Sequence, residues 1–281
     1  MKSLLFRLGR AVLLAYVILL LLVAGCQNSI LYHPQRGSEE DFVATARRQN
    51  IQPWRDGQGR LIGWHRPNPR AANRLVVFHG NAGCAIDRSH YVDAFESLAA
   101  GADWEVWILE YPGYGSRSGP VGKTAFIEAG RNAVRQLLAA DLRPLHLLGE
   151  SIGSGTACAL AGEMPDRIAG LALVVPFARL QEVAQEKFRW LPVGLILRDK
   201  FDNIGALAAY RGRVAIVVAE SDEVVGAAQG RKLHESYAGP KLLIVLAGAG
   251  HNSFDIQPGA AWYGQVSRFL RGGPSAGVRG K

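Results

Sequence analysis

Residues 145–161 read LHLLGESIGSGTACALA, and this stretch constrains the fold more than any other part of the chain. The largely apolar run Leu145 to Leu148 predicts a buried strand, and Gly149-Glu150-Ser151-Ile152-Gly153 follows it directly. The residues Thr156, Ala157, Ala159, Leu160 and Ala161 then predict a helix packed tightly on a sheet. A Gly-x-Ser-x-Gly at a strand-to-helix turn is so sharp that the flanking side chains must be small, and the serine is left exposed at the helix N-terminus. Backbone N–H groups and the positive end of the helix dipole there favour a developing oxyanion. The pentapeptide alone is weak, since Gly and Ser often share loops. The strand before it and the helix after it give it weight.

A serine hydroxyl needs a base, and the base needs an orienting carboxylate. In chains built around this turn, the acid and then the histidine come later in the sequence. Only His234 and His251 follow Ser151. His234 lies in the polar helical stretch Arg231–Tyr237 and reads as a surface residue. His251 follows the strand Leu242–Leu246 and the small linker Ala247-Gly248-Ala249-Gly250, at a strand's C-terminal end, where such sheets place their ligands. His251 is the expected base. The strand Val214–Ala219 leads into Glu220-Ser221-Asp222-Glu223, and Asp222 is the expected acid. Glu220 and Glu223 are close rivals, with Asp202 and Asp199 further off. His79-Gly80-Asn81 ends an earlier strand, so the backbone N–H groups of Asn81 and Ile152 are the expected oxyanion hole. His79 itself, standing before the serine, reads as structural.

Around these residues, short apolar runs alternate with helical segments. Strands are expected at Leu61–Arg66, Leu75–Phe78, Glu105–Leu109, Gly170–Val175, Val214–Ala219 and Leu242–Leu246. Helices are expected near Glu39–Gln49, from a cap at Asp87 through Ala100, at Thr124–Ala140 and near Ala261–Leu270. The rhythm predicts an α/β fold with a mostly parallel central sheet covered by helices on both faces. One segment, 177–209, is longer than a simple crossover and rich in apolar residues such as Phe188, Trp190, Leu191 and Leu195. It reads either as an ordinary crossover with a turn or as a small cap over an apolar acyl pocket.

Together these pieces resemble the α/β-hydrolase superfamily from about Leu61 to Leu270. The chain looks similar to the branch of membrane-anchored serine hydrolases that includes the abhydrolase-domain lipid and thioester hydrolases. The resemblance is carried by His79-Gly80-Asn81-Ala82-Gly83, Tyr111-Pro112-Gly113-Tyr114-Gly115-Ser116, Gly149-Glu150-Ser151-Ile152-Gly153, the segment from Leu191-Pro192-Val193 to Phe201-Asp202, and Gly250-His251-Asn252. It implies a nucleophile, acid and base at Ser151, Asp222 and His251, an ester or thioester substrate, and an acyl-serine intermediate. Departures fall mostly near the acid, where Arg213-Val214 and Ala219-Glu220 replace the family's Pro and His-Gly pair; Glu110 replaces an Asp before the Tyr-x-Gly-Tyr-Gly loop. A peptidase releasing N-terminal residues, also found in the superfamily, and an anchored binding protein without catalysis are the alternatives.

The N-terminus adds a location. Three basic residues, Lys2, Arg7 and Arg10, precede a run from Ala11 to Val23 that is apolar but for Tyr16. That is a signal-peptide layout. Leu22-Val23-Ala24-Gly25-Cys26 closes it, and its last four residues resemble a bacterial lipobox, which implies that Cys26 is lipid-modified as the new N-terminus; residues 1–26 are then the signal or anchor segment and 27–281 the catalytic domain. The competing reading is an uncleaved anchor helix, since no charge occurs between Arg10 and Arg36. For a bacterial chain whose basic end stays inside, both place the catalytic part outside the cytoplasm, on the membrane. Cys84 and Cys158 read as small buried thiols.

The net charge is +8, and three of these charges belong to Lys2, Arg7 and Arg10, leaving +5 spread thinly elsewhere. That excludes the clustered basic surface of a nucleic-acid binder. Gly122-Lys123-Thr124 resembles the end of a phosphate loop, but Arg117 stands where its first glycine belongs. No His-Glu-x-x-His, Cys-x-x-Cys or strand-borne Gly-x-Gly-x-x-Gly occurs, so neither a metal nor a nucleotide cofactor is expected.

Overall fold

The apolar runs assemble into one sheet in the computed structural model, which describes residues 2–98 and 103–273. The strands are β1 (His33–Pro34), β2 (Gln52–Arg55), β3 (Leu61–His65), β4 (Asn73–Phe78), β5 (Ala82–Gly83), β6 (Trp104–Leu109), β7 (Leu145–Glu150), β8 (Gly170–Val174), β9 (Arg213–Ala219) and β10 (Lys241–Leu246). Eight of them form the main sheet in the order β10-β9-β8-β7-β4-β6-β3-β2, while β1 and β5 make a separate parallel pair. The five neighbouring pairs from β10 to β6 are parallel, and only β3 and β2 run against their partners.

Burial on both faces explains the sequence of the central strands. In β4, Val76 and Phe78 enter one core, while Leu75 and Val77 enter the other. An unbroken apolar run is what a doubly covered strand requires. The first face is covered by α4 (Lys123–Ala140), α5 (Gly153–Glu163) and α9 (Ala227–Ser236). The second is covered by α2 (Glu39–Arg48), α3 (His90–Glu96) and α10 (Ala261–Leu270). Cys158 lies in the first core and Cys84 in the second, both as free buried thiols. Burial pushes the Cys84 thiol up to about 12.

The helix expected from Asp87 differs. A 3-10 turn occupies Ala85–Arg88, and α3 starts only at His90 and ends at Glu96. Asp87 caps no α-helix; its carboxylate accepts from the Cys84 N–H at 2.9 Å and closes the turn. Arg88 at the end of the turn and Tyr91 just after it both reach inward to Glu150, at 2.8 and 2.9 Å. The expected end at Ala100 lies outside the described residues.

The N-terminal run is one helix, α1 (Lys2–Leu31), long and apolar enough to cross a membrane by length and composition. Its second half packs on the segment after β8, which carries α6 (Leu180–Lys187), α7 (Val193–Ile196) and α8 (Asn203–Ala206). Leu20, Val23 and Leu31 meet Leu191, Val193 and Leu197 there. The Tyr16 hydroxyl donates to the Trp190 carbonyl at 2.8 Å, and buried Gln27 donates to Ile196 and accepts from the Arg198 N–H at 2.7 Å. Within 177–209, the last part is an ordinary crossover held on α5, with Asn203 bonded to Ser154 at 3.0 Å. Residues 180–200 form an excursion that leans on α1.

Candidate active site

Ser151 sits in the turn between β7 and α5 with φ of 52°, a left-handed conformation rarely adopted by residues other than glycine. The flanking glycines permit it by close approach. A Cβ on Gly149 would meet Gly153 O and the Ser154 backbone at 2.6 Å, and one on Gly153 would meet Phe78 O at 2.1 Å. The start of α5 is thus pressed against the end of β4, and no side chain fits between them. The serine is 9% exposed, more enclosed than the open position expected of it, because His251 lies over its hydroxyl.

Three strand ends bring the expected residues together. His251 Nε2 stands 3.0 Å from Ser151 Oγ, and His251 Nδ1 stands 2.8 Å from Asp222 Oδ2. The carboxylate can only accept, so Nδ1 carries the proton and Nε2 is left as the acceptor for the serine. The loops after β9 and β10 are tied to each other: Ser221 N donates to Ala249 O at 2.8 Å, and Glu220 N to Leu246 O at 3.0 Å. Burial pushes the Asp222 carboxyl up, but the His251 hydrogen bond and charge, with the N–H groups of Val225 and Gly226, outweigh it and hold the group below the usual carboxylate range.

The rival carboxylates serve elsewhere. Glu220 accepts from Gly248 N at 3.0 Å, and Glu223 accepts from the His251 backbone N–H at 3.2 Å. Asp199 accepts from Tyr32 and Lys123, while Asp202 caps α8 and pairs with Arg179 at 3.1 Å. His234 lies on α9, and buried His79 is held through Nδ1 by Gly80 O at 2.8 Å.

Asn81 follows β4 on the other side of the serine. A Cβ built on Gly80 would lie 3.8 Å from Ser151 Cβ, which places this loop against the turn. Among the described residues, neither the Asn81 nor the Ile152 backbone N–H donates to a backbone carbonyl. The Asn81 carbonyl is held by the Tyr114 hydroxyl at 2.7 Å and the His33 N–H at 2.9 Å, and its side chain donates to Leu31 O at 2.9 Å. A cleft of about 170 Å³ opens beside His251, walled in part by His90, Val175, Asn252 and Phe254.

Two features here were not read from the sequence. Glu150 is buried beside the serine, paired with Arg88 and Tyr91. Burial pushes its carboxyl up, yet Arg88, with His90 and Tyr91, pulls it down to about 2. Its only sequence signal was a charge ending an apolar strand. Val175 adopts φ of 45°, a strained choice for a β-branched residue, on the wall of the cleft. Nothing local announces it. Cys26 lies exposed on α1, and among the described residues no group of three or more His, Cys, Asp or Glu side chains could hold a metal ion.

A family model described as the alpha/beta hydrolase fold matches residues 73–209. An uncharacterized Mycobacterium tuberculosis protein, Rv2307c, is 30% identical over 251 residues, covering 87% of each chain. The chain belongs to the α/β-hydrolase family. Human alpha/beta hydrolase domain-containing protein 17B is 27% identical over 209 residues, 73% of this chain and 67% of its own. Among solved structures, the Pyrococcus furiosus esterase Pf2001 superposes with a TM-score of 0.63 at 15% identity, covering 85% of this α/β-hydrolase and 98% of the esterase. That likeness is one of fold.

Proposed function

We propose that the protein is a serine hydrolase that cleaves a carboxylic ester or thioester through an acyl-Ser151 intermediate. The observation that carries this reading is the unbroken chain from Asp222 through His251 to Ser151, at 2.8 and 3.0 Å. His251 Nε2 takes the hydroxyl proton as Ser151 attacks the carbonyl, then gives it to the leaving group. Water enters by the same route in reverse and releases the acid. Asp222 holds the tautomer and steadies the imidazolium. The N–H groups of Asn81 and Ile152 receive the oxyanion, aided by the α5 dipole.

The second part of the proposal concerns place. α1 is a retained anchor, with Lys2, Arg7 and Arg10 on the inner side and the hydrolase outside the cytoplasm. Support comes from the packing on both sides of Cys26: Leu20 and Val23 before it, and Gln27 and Leu31 after it, all meet the excursion. Processing at Cys26 would strip away half of that contact. An anchored hydrolase with an apolar excursion fits a lipid or other acyl-chain ester.

Intact-mass analysis of the full chain with a fluorophosphonate, beside Ser151→Ala, tests the first part. One adduct on the wild type and none on the variant is the expected result, followed by turnover of aryl esters above that of aminoacyl amides. A folded wild type that takes no adduct refutes the reading. Faster turnover of the amides would favour the peptidase.

A further inference from the structure

The first contact between α1 and the excursion is at Tyr16, and with Lys2, Arg7 and Arg10 on the inner side only five residues, Ala11 to Ala15, lie between those charges and that contact. At 1.5 Å per residue that is about 7.5 Å, well short of the roughly 30 Å of a bilayer's hydrocarbon core. If α1 spans, part of the stretch alongside the excursion lies at acyl-chain depth, and the excursion lies there with it.

The surface of the excursion suits that depth. Phe188 is 41% exposed, Trp190 57% and Leu195 86%. On α1, Val17, Ile18, Leu21 and Leu22 are also exposed, so the helix beside the excursion is apolar on its outward sides as well. Residues 187–198 carry Lys187, Arg189 and Arg198 and no acidic residue, the pattern of an interfacial segment whose basic ends meet headgroups. Tyr16 and Trp190, bonded at 2.8 Å, are the aromatic pair that such boundaries favour. Behind this face lies a cavity of about 140 Å³ lined by Val23, Ile30, Phe188, Trp190, Leu191 and Leu197. Gln27 is its one polar liner, and its amide is already bonded to Ala24, Ile196 and Arg198. An apolar lining of this kind adds no unpaired polar group as an obstacle to immersion.

We infer that the face built by α1 and residues 187–198 is a lipid-binding surface whose occupant is the acyl-chain layer of the outer leaflet, entered by Phe188, Trp190 and Leu195. This rests on the anchor proposed above. The basic end of the surface is tied to the loop of the candidate acid, because Lys187 Nζ at the end of α6 donates to the Glu223 carbonyl beside Asp222.

Tryptophan emission reads this directly. Of the six tryptophans, none is in α1, and Trp54, Trp64, Trp104 and Trp262 are buried, with Trp107 half-buried in the sheet. The full chain is reconstituted in vesicles of phosphatidylcholine and phosphatidylglycerol carrying bromine midway along the acyl chains. The expected result is quenching of the wild type that falls roughly two-fold or more in Trp190→Phe, as for a boundary tryptophan at the acyl layer. Leu195→Asp, at a position open enough to spare folding, should weaken the quenching in the same direction. Unchanged fluorophosphonate labelling of Ser151 confirms that each variant is folded. Protein that floats with the vesicles but is not quenched, or is quenched equally in Trp190→Phe, overturns the surface and leaves the anchor standing. Protein that does not float overturns the anchor and the surface together.

Discussion

The backbone N–H of His33 donates to the carbonyl of Asn81 at 2.9 Å, so the chain leaving α1 is bonded to the loop beside Ser151. The β1–β5 pair extends this tie, with Gln35 N donating to Gly83 O at 2.8 Å. Removing an oxyanion donor outright costs about 10²–10³ in rate, and loosening one should cost less. His33→Pro deletes the donor at an exposed position, so kcat/KM for an aryl ester should fall about ten-fold while Tm changes little. Unchanged kinetics would mean that Tyr114, Leu31 and Gln35 hold the loop without His33.

Asp222 and Glu223 both bond His251, one at the ring and one at the backbone N–H. Only the first sets which ring nitrogen accepts. Asp222→Asn should lower kcat by roughly 10³–10⁴-fold with little change in KM, because the wrong tautomer cannot accept the serine proton. Glu223→Gln keeps an acceptor oxygen for the N–H and should stay within about ten-fold of wild type. Equal losses would show that the acid role is shared.

Much of this site could be read along the chain, because its parts are local. The sharp turn at Ser151 needs small neighbours within five residues, and the histidine and acid each stand just past an apolar run. What escaped is what depends on distant partners. Glu150 meets Arg88 from 62 positions away, at the end of the 3-10 turn that stands where the helix was expected to start. Asn81 is held by Leu31 and His33, ahead of the whole sheet. The excursion gave no clear reading because the surface it packs on is α1, more than 150 residues earlier. Apolar content shows that such a segment needs apolar surroundings but not which ones.

The Glu150–Arg88 pair yields a pH signature. Glu150 is pulled from 4.5 to about 2 in the fold, so its stabilising contribution is whole above about pH 4.5 and is lost as the pH falls toward 2. Arg88→Met leaves the carboxylate buried without its partner, which costs about 3–5 kcal/mol at pH 7. Near pH 3 the stranded carboxyl of the variant protonates and the wild type begins to lose its own gain. Thermal melts at the two pH values should therefore show the gap in Tm narrowing on acidification. A gap that widens or stays constant would mean that the pair does not carry the shift.

Cys26 separates the two readings of the N-terminus. As a retained anchor, α1 stays attached, and Cys26→Ser should change neither membrane association nor the mass of the membrane-extracted chain beyond the substitution itself. The cysteine is exposed on α1, so the substitution should leave the stability within about 0.5 kcal/mol of wild type. Processing as a lipoprotein gives the opposite result: a wild-type chain beginning at Cys26 with added lipid mass, and a variant that keeps residues 1–25. That outcome would also remove Leu20 and Val23 from the excursion, leaving Leu191 and Val193 to find new cover. The extracted masses of wild type and variant, compared side by side, decide between them.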